Sequence, residues 1–228
     1  MEAIVLAGGF GTRLRQVVSD VPKPMAPIAG RPFLEILLGS LAHKNFRRVI
    51  LSLGCMAEKV SGHFGARFAG LDLAYVVDGT PLGTGGAVRL AMTACNQDHV
   101  FVFNGDTYLD LEAELLERQW QSSRCPIVVG RQVPDTFRYG RLVVEGSRII
   151  SFAEKGIIGP GLINAGCYVL ATDALERFPL HQPFSIESDY LVPEVGCGRV
   201  EAFVTESAFI DIGIPEDYAL AQTLLAGL

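Results

Sequence analysis

Short apolar runs of strand length alternate along this chain with stretches whose apolar positions recur at helical spacing. Runs rich in Val, Ile, Leu and Phe lie near residues 2–7, 47–53, 72–77 and 99–104. Between them, residues 32–44, 56–65 and 85–95 follow the helical period, with Pro32 standing where a first helical turn tolerates proline. This alternation predicts an α/β fold with a mainly parallel sheet, because a parallel pair needs a crossover and the crossover helix covers a sheet face. From residue 126 the rhythm changes. IVVG, RLVVEG and RIISFAEK read as strands with Glu145 and Gly146 as a hairpin turn, 162–170 is a further apolar strand, and a helix begins after Pro215. No linker, repeat or low-complexity tract interrupts the pattern, so the reading is one domain over residues 1–228, divided near residue 125 into two functional halves.

The first strand runs into a loop suited to close approach of an anion. Leu6 closes the apolar run, and Gly8, Gly9 and Gly11 follow, then Thr12 and Arg13. Glycines so placed let the backbone turn tightly and present N–H groups to phosphate oxygens where a helix begins. Arg13 adds a fixed cation. Ten residues on, Lys23 sits between Pro22 and Pro24, which stiffen the backbone on both sides of its ammonium. A plain glycine turn beside a solvated lysine requires neither the arginine nor the paired prolines, so the pattern points to a nucleoside triphosphate. Two commoner phosphate loops are excluded. No GxxxxGK[ST] string occurs, and Leu14 stands where a dinucleotide fingerprint has its third glycine.

Ligands of open α/β sheets bind at the carboxyl ends of strands. There VFVFN leads into Gly105, Asp106 and Thr107, and AFIDIG sets Asp211 in a matching position ahead of Gly213 and Pro215. One carboxylate after a strand is as often a helix cap or turn former. Two of them beside a phosphate loop suit Mg²⁺, which takes one or two carboxylates together with phosphate oxygens and water. The string DGTPLGTGGAV, residues 78–88, offers Gly83, Gly85 and Gly86 for close approach of a base or ribose, and also reads as a loop opening a helix at Thr84.

The glycine loop with Thr-Arg, the Pro-Lys-Pro segment, the PLGT string, the Gly-Asp pair and the late aspartate resemble the signature of the sugar-phosphate nucleotidyltransferases, from residue 2 to about residue 218. The resemblance implies a single Rossmann-like, GT-A-like α/β domain whose mixed, mainly parallel sheet is flanked by helices. It also implies transfer of a nucleoside monophosphate from a triphosphate to a sugar 1-phosphate, with release of pyrophosphate. Residues 1–125 would then serve mainly the nucleotide and 126–228 mainly the sugar phosphate. Arg13, Lys23 and Asp106 take catalytic roles, and Asp106 and Asp211 become ligands of Mg²⁺. Leu6, Gly8, Gly9, Gly11, Thr12, Arg13, Lys23, Asp78, Pro81, Gly83, Thr84 and Gly105 become nucleotide-binding. On the acceptor side Tyr139 and Gly140 match a Tyr-Gly element and Asn164 opens an Asn-Ala-Gly segment. Glu154 and Lys155 offer an acid for sugar hydroxyls and a cation for the sugar phosphate.

Asp78 is shorter than the glutamate of the family pattern, which leaves base selection open, while Ala-Gly-Gly at residues 7–9 leans toward guanine. The pattern is nearest to members that join GTP to a heptose 1-phosphate. Mannose 1-phosphate with GTP and N-acetylmuramate 1-phosphate with UTP are the neighbouring choices. A non-catalytic nucleotide-sugar-binding module would lack a cation or a metal ligand, and the sequence lacks neither.

Composition narrows the remaining classes. The 228 residues are 49% hydrophobic, enough for one well-filled α/β domain, and the net charge of −6 argues against a nucleic-acid partner. No apolar run approaches the roughly 18 residues of a membrane span, and no basic, apolar-cored leader opens the sequence, so a soluble cytoplasmic protein without a membrane partner is expected. Five cysteines without a CxxC pair indicate buried free thiols rather than zinc or disulfides, and four histidines without ligand spacing indicate packing or surface roles. A homo-oligomer is compatible with all of this.

Overall fold

The computed structural model describes residues 1–9, 14, 18, 21–153 and 156–228. Gly11, Thr12, Arg13, Glu154 and Lys155 lie outside them. In chain order, β1 (Glu2–Leu6) is followed by a 3₁₀ turn at Lys23–Met25, β2 (Pro27–Ile28), β3 (Arg31–Pro32), α1 (Phe33–His43), β4 (Arg48–Leu53), α2 (Ala57–Phe64) and β5 (Arg67–Phe68). Next come β6 (Leu71–Val77), α3 (Gly83–Met92), β7 (His99–Asn104), β8 (Thr107–Leu109), α4 (Ala113–Ser123), β9 (Ile127–Val133), β10 (Arg141–Glu145) and β11 (Arg148–Ala153). The chain ends with β12 (Gly161–Ala171), a π-helical turn at Ile186–Leu191, α5 (Val192–Gly196), β13 (Glu201–Thr205), β14 (Phe209–Asp211) and α6 (Pro215–Leu224).

Among the described residues, ten strands form one sheet in the order β10-β11-β13-β9-β12-β7-β1-β4-β6-β5. Strands β7, β1, β4 and β6 are mutually parallel, as the strand-helix alternation of the first half requires. The second half enters antiparallel: β12 lies between β7 and β9 and opposes both, and β13 rejoins β9 in parallel. The sheet is therefore mixed, with its long parallel block confined to the first half.

Alternate residues of the central strands feed two cores. Ala3 and Val5 with Phe101 and Phe103 pack on the face shared with α1, α2 and α4. Ile4, Val100 and Val102 pack on the opposite face with Val88 of α3 and with Tyr190 and Val195. Burial on both faces explains why these strands read as continuous apolar runs rather than alternating ones. A third core, including Phe33, Tyr108, Ile210 and Ala221, fixes α6 against α1 and the β8–β14 ribbon. No described helix is long and apolar enough to cross a membrane.

Three local expectations are corrected. Pro32 has ψ of 136° and pairs with Pro27, so it ends the β2–β3 hairpin in extended form and α1 starts after it. Glu145 pairs with Arg148, which moves the hairpin loop to Gly146 and Ser147, with Gly146 at φ 60°. Cys167 is buried, whereas Cys55 and Cys197 are exposed, because both stand at turns rather than inside strands.

Candidate active site

The carboxyl ends of β1, β4, β6 and β7 converge on a cavity of about 630 Å³, within the ordinary range for a small-molecule site. Its floor depends on backbones that almost touch. A Cβ on Gly8 would lie 2.9 Å from the Gly54 nitrogen, and one on Gly54 would lie 2.8 Å from the Gly8 carbonyl oxygen. Among the described residues, nothing lies within 4 Å of the Cβ position of Gly9. Gly8 thus serves strand packing, while Gly9 leaves open space where a ligand backbone contact can form.

One wall is the loop from Asp78 to Leu82, tied to β4 by the Asp78 N–H donating to the Leu53 carbonyl at 3.0 Å. Burial pushes the Asp78 carboxyl up, and the N–H groups of Asp78 and Leu82 offset part of that. The glycines that follow also pack against a later segment of the chain. A Cβ on Gly83 would lie 2.5 Å from the Phe184 carbonyl oxygen, one on Gly85 2.2 Å from the Phe184 ring, and one on Gly86 2.6 Å from the Gln182 carbonyl oxygen. Their missing side chains admit the 182–184 segment onto α3, which the Gly85 N–H secures by donating to the Phe184 carbonyl at 2.9 Å. Thr84 lines the cavity, but its hydroxyl oxygen accepts the Ile186 N–H at 3.0 Å.

Asp106 and Asp211 are brought together by the antiparallel ribbon of β8 and β14. Thr107 pairs with Asp211, and the Ile212 N–H donates to the Asp106 carbonyl at 2.9 Å. The Lys23 ammonium, on the proline-framed 3₁₀ turn, forms an ion pair with the Asp106 carboxylate. Burial raises the Asp211 pKa, and the neighbouring Asp106 carboxylate raises it further. Lys23 and the Gly213 N–H, which donates to Asp211 at 2.7 Å, oppose the rise. Two carboxylates whose charges repel each other, one of them lining the cavity, form a donor set that fits a hard divalent cation.

In the second half of the chain, Tyr139 packs edge-on to Phe209 with ring centroids 6.3 Å apart. Burial raises its phenol pKa and the Arg138 guanidinium offsets part of the rise, with the Asp217 and Asp211 carboxylates also acting on it. Arg138 holds Asp217 of α6 through two hydrogen bonds, 2.7 and 3.3 Å. Gly140 lies just before β10, its Cβ position 3.3 Å from the Ala153 carbonyl oxygen of β11. The β12 register shifts between Asn164 and Tyr168. In that bulge Gly166, at φ 69°, fits against Asn104, where a Cβ would lie 2.5 Å from the Asn104 side-chain nitrogen. Asn104 lines the cavity at the strand ends. The bulge therefore seats β12 against the end of β7, two residues before Asp106.

Over residues 2–226 the chain matches the family described as Nucleotidyl transferase. The chain belongs to that family. It is 39% identical over 223 residues to the D-glycero-alpha-D-manno-heptose 1-phosphate guanylyltransferase of Aneurinibacillus thermoaerophilus, an alignment covering 97% of each chain. It is 38% identical to the enzyme of that name from Campylobacter jejuni, covering 96% of this chain and 97% of that one. Among solved structures, HddC from Yersinia pseudotuberculosis superposes with a TM-score of 0.88 at 38% identity over 97% of each chain, and its complex with GMP-PN with a TM-score of 0.87.

Of the positions anticipated for this nucleotidyl transferase family member, Leu6, Gly8, Gly9, Lys23, Asp78, Pro81, Gly83, Thr84, Gly105 and Asp106 all border the one cavity. Asp211 stands beside Asp106 through the ribbon. Tyr139, Gly140 and Asn164 lie outside the cavity lining. Asn164 has its amide already engaged: its oxygen accepts the Gly166 N–H at 3.0 Å, and its nitrogen donates to the Tyr168 hydroxyl at 2.8 Å and to Glu187 Oε1 at 2.7 Å. Sequence reasoning missed Ser52, Gly54 and Cys55 at the end of β4, and Asn104 at the end of β7, all of which line the cavity. A signal for the first three was present, because LSLGC ends an apolar run in glycine as the β1 run does.

Proposed function

We propose that this nucleotidyl transferase joins GTP to D-glycero-α-D-manno-heptose 1-phosphate, giving the GDP-heptose and pyrophosphate. The observation that carries the reading is near-complete, end-to-end similarity at 38–39% identity to two guanylyltransferases named for that sugar phosphate. The cavity at the strand ends and the paired carboxylates beside it support the same chemistry. The reaction is proposed for the cytoplasm, with residues 1–125 serving the nucleotide and 126–228 the acceptor.

The acceptor phosphate is already anionic at neutral pH, its second pKa being near ~6, so attack on the α-phosphorus requires no general base. What the protein must supply is relief of repulsion between two polyanions and an in-line arrangement. Lys23 is held within reach of the reacting phosphates by its rigid turn, and Arg13 and Lys155 add the remaining cations in this proposal. The backbone at Gly9 and the Asp78–Leu82 loop seat the nucleotide. Mg²⁺ held by Asp106 and Asp211 would neutralise phosphate charge and polarise the reacting centre.

The test is pyrophosphate release with Mg²⁺, crossing GTP, UTP, CTP, ATP and dTTP against the heptose, mannose, glucose and N-acetylmuramate 1-phosphates, with Asp106→Ala as the control. Turnover confined to GTP and the heptose phosphate is the expected result. Preference for another pair overturns the substrate assignment, and absence of turnover in a folded, nucleotide-binding protein favours a regulatory binding module.

A further inference from the structure

Glu187 belongs to none of the motifs that led to the active site, yet the turn that carries it is hydrogen-bonded to Thr84, which lines the cavity. It lies in the π-helical turn at Ile186–Leu191, whose Ser185 cap oxygen accepts the Ser188 N–H and whose Asp189 carboxylate accepts the Ser185 N–H at 2.7 Å. Single π-type turns of this kind occur often at functional sites. The turn is fixed from two sides. Thr84 of the nucleotide wall accepts the Ile186 N–H, and Asn164 of the acceptor strand donates to the Glu187 carboxylate.

The two oxygens of that carboxylate differ. Oε1 accepts both the Asn164 amide at 2.7 Å and the Tyr168 hydroxyl at 3.3 Å. Tyr168 is 1% exposed and its phenol is kept protonated by burial, so it remains a donor. Oε2 has no hydrogen-bond partner among the described residues, and Glu187 is exposed to solvent. Asn164 cannot offer a sugar more than its remaining lone pair, since both ends of its amide are engaged. The acceptor that this network leaves without a partner among the described residues is therefore a solvent-exposed carboxylate oxygen, oriented by two donors on its twin.

We propose that Glu187 Oε2 accepts a hydrogen bond from a ring hydroxyl of the sugar 1-phosphate, making Glu187 a specificity residue that Asn164 and Tyr168 position. This rests on the reading of the protein as a sugar 1-phosphate guanylyltransferase. An anionic acceptor suits a hydroxyl donor, and a bond to a charged group discriminates against an analogue lacking that hydroxyl more strongly than a neutral one would.

Glu187→Gln isolates the role. The amide oxygen can keep the bonds from Asn164 and Tyr168, while Oε2 is replaced by an NH₂ group that cannot accept. Steady-state kinetics with GTP and the preferred sugar 1-phosphate are expected to show KM for the sugar phosphate raised roughly 10- to 100-fold, with KM for GTP changed less than about twofold. A second readout uses mono-deoxy forms of the accepted sugar phosphate. Wild type should lose a similar factor in kcat/KM on one of them, and Glu187→Gln should not distinguish that analogue from the parent sugar. Unchanged sugar KM in the variant, or equal deoxy penalties in both proteins, overturns the assignment. Wild type that turns over no sugar 1-phosphate overturns the functional reading itself, and this inference with it.

Discussion

The Lys23 ammonium is ion-paired with the Asp106 carboxylate across 83 residues of chain. The lysine side chain is 13% exposed and the carboxylate 33%, so the pair is partly shielded from solvent, and a neutral residue in place of Lys23 removes the cation that opposes the repulsion between Asp106 and Asp211. Lys23→Met is expected to lower kcat by roughly 10²- to 10³-fold, the scale of losing one preorganised charge-stabilising group. Pyrophosphate release at saturating substrates, with circular dichroism to verify folding, checks it. A loss under threefold would remove Lys23 from the catalytic set.

Asp211 separates stability from activity. Its carboxyl is buried and stands against the Asp106 charge, so a neutral amide removes a repulsion while its oxygen keeps the Gly213 N–H. Without Mg²⁺, Asp211→Asn is expected to raise the melting temperature by about 2–4 °C, equivalent to about 1 kcal/mol in a chain of this size. The same variant is expected to need at least roughly tenfold more Mg²⁺ for half-maximal activity, and excess EDTA should abolish wild-type turnover. Melts without metal and a Mg²⁺ titration decide both points. Reduced stability together with unchanged metal demand would contradict the paired-carboxylate site.

Gly85 is needed for packing. An added methyl would lie 2.2 Å from the Phe184 ring, which is itself stacked on Phe178 with centroids 4.0 Å apart. Gly85→Ala is expected to cost about 1–3 kcal/mol in urea unfolding, the usual penalty for overpacking. Pairing it with Phe184→Leu should recover part of that loss. Additive costs in the double variant would show that the two sites do not touch.

The thiols should divide by environment and by pH. Cys95 is pushed up to about 12, by burial first and then by the Glu2 carboxylate, with Arg48 opposing. At pH 8 its thiolate fraction is about one in 10⁴, and it grows only as pH approaches 12. Cys167 is fully buried and raised as well. Iodoacetamide at pH 8 is therefore expected to label exposed Cys55 and Cys197 and to spare Cys95 and Cys167. Cys55 lines the cavity, so GTP should slow labelling there and leave Cys197 unaffected. Peptide mass mapping with and without nucleotide reads this directly, and equal protection of the two thiols would argue against the cavity as the nucleotide site.

Some elements escaped the sequence reading for identifiable reasons. In α4 only Ala113, Leu116 and Trp120 are buried, a narrow apolar stripe among Glu, Arg and Gln that has the helical period but little apolar weight. Strand β13 is only five residues long and its EAFVT mixes buried and exposed positions, so it carried too short an apolar run to be named from sequence. Glu187 gave no local signal, because its significance comes from Asn164, 23 residues earlier.

The sequence by itself determined the alternation of strand and helix, the glycines and carboxylates at strand ends, and through them the family. Those features are local: hydrophobic period, backbone freedom and the placement of charge just beyond an apolar run are all written within a few residues of one another. Only the tertiary structure decided how each glycine is packed, separating Gly9, with no described neighbour at its Cβ position, from Gly83, Gly85 and Gly86 under the 182–184 segment. It also decided that Asp211 meets Asp106, that Lys23 reaches the same carboxylate, and that Asn164 uses its amide on Gly166, Tyr168 and Glu187. Such contacts follow from sheet order and strand register. These are set by how the whole chain buries its two cores, and no short stretch of residues encodes them.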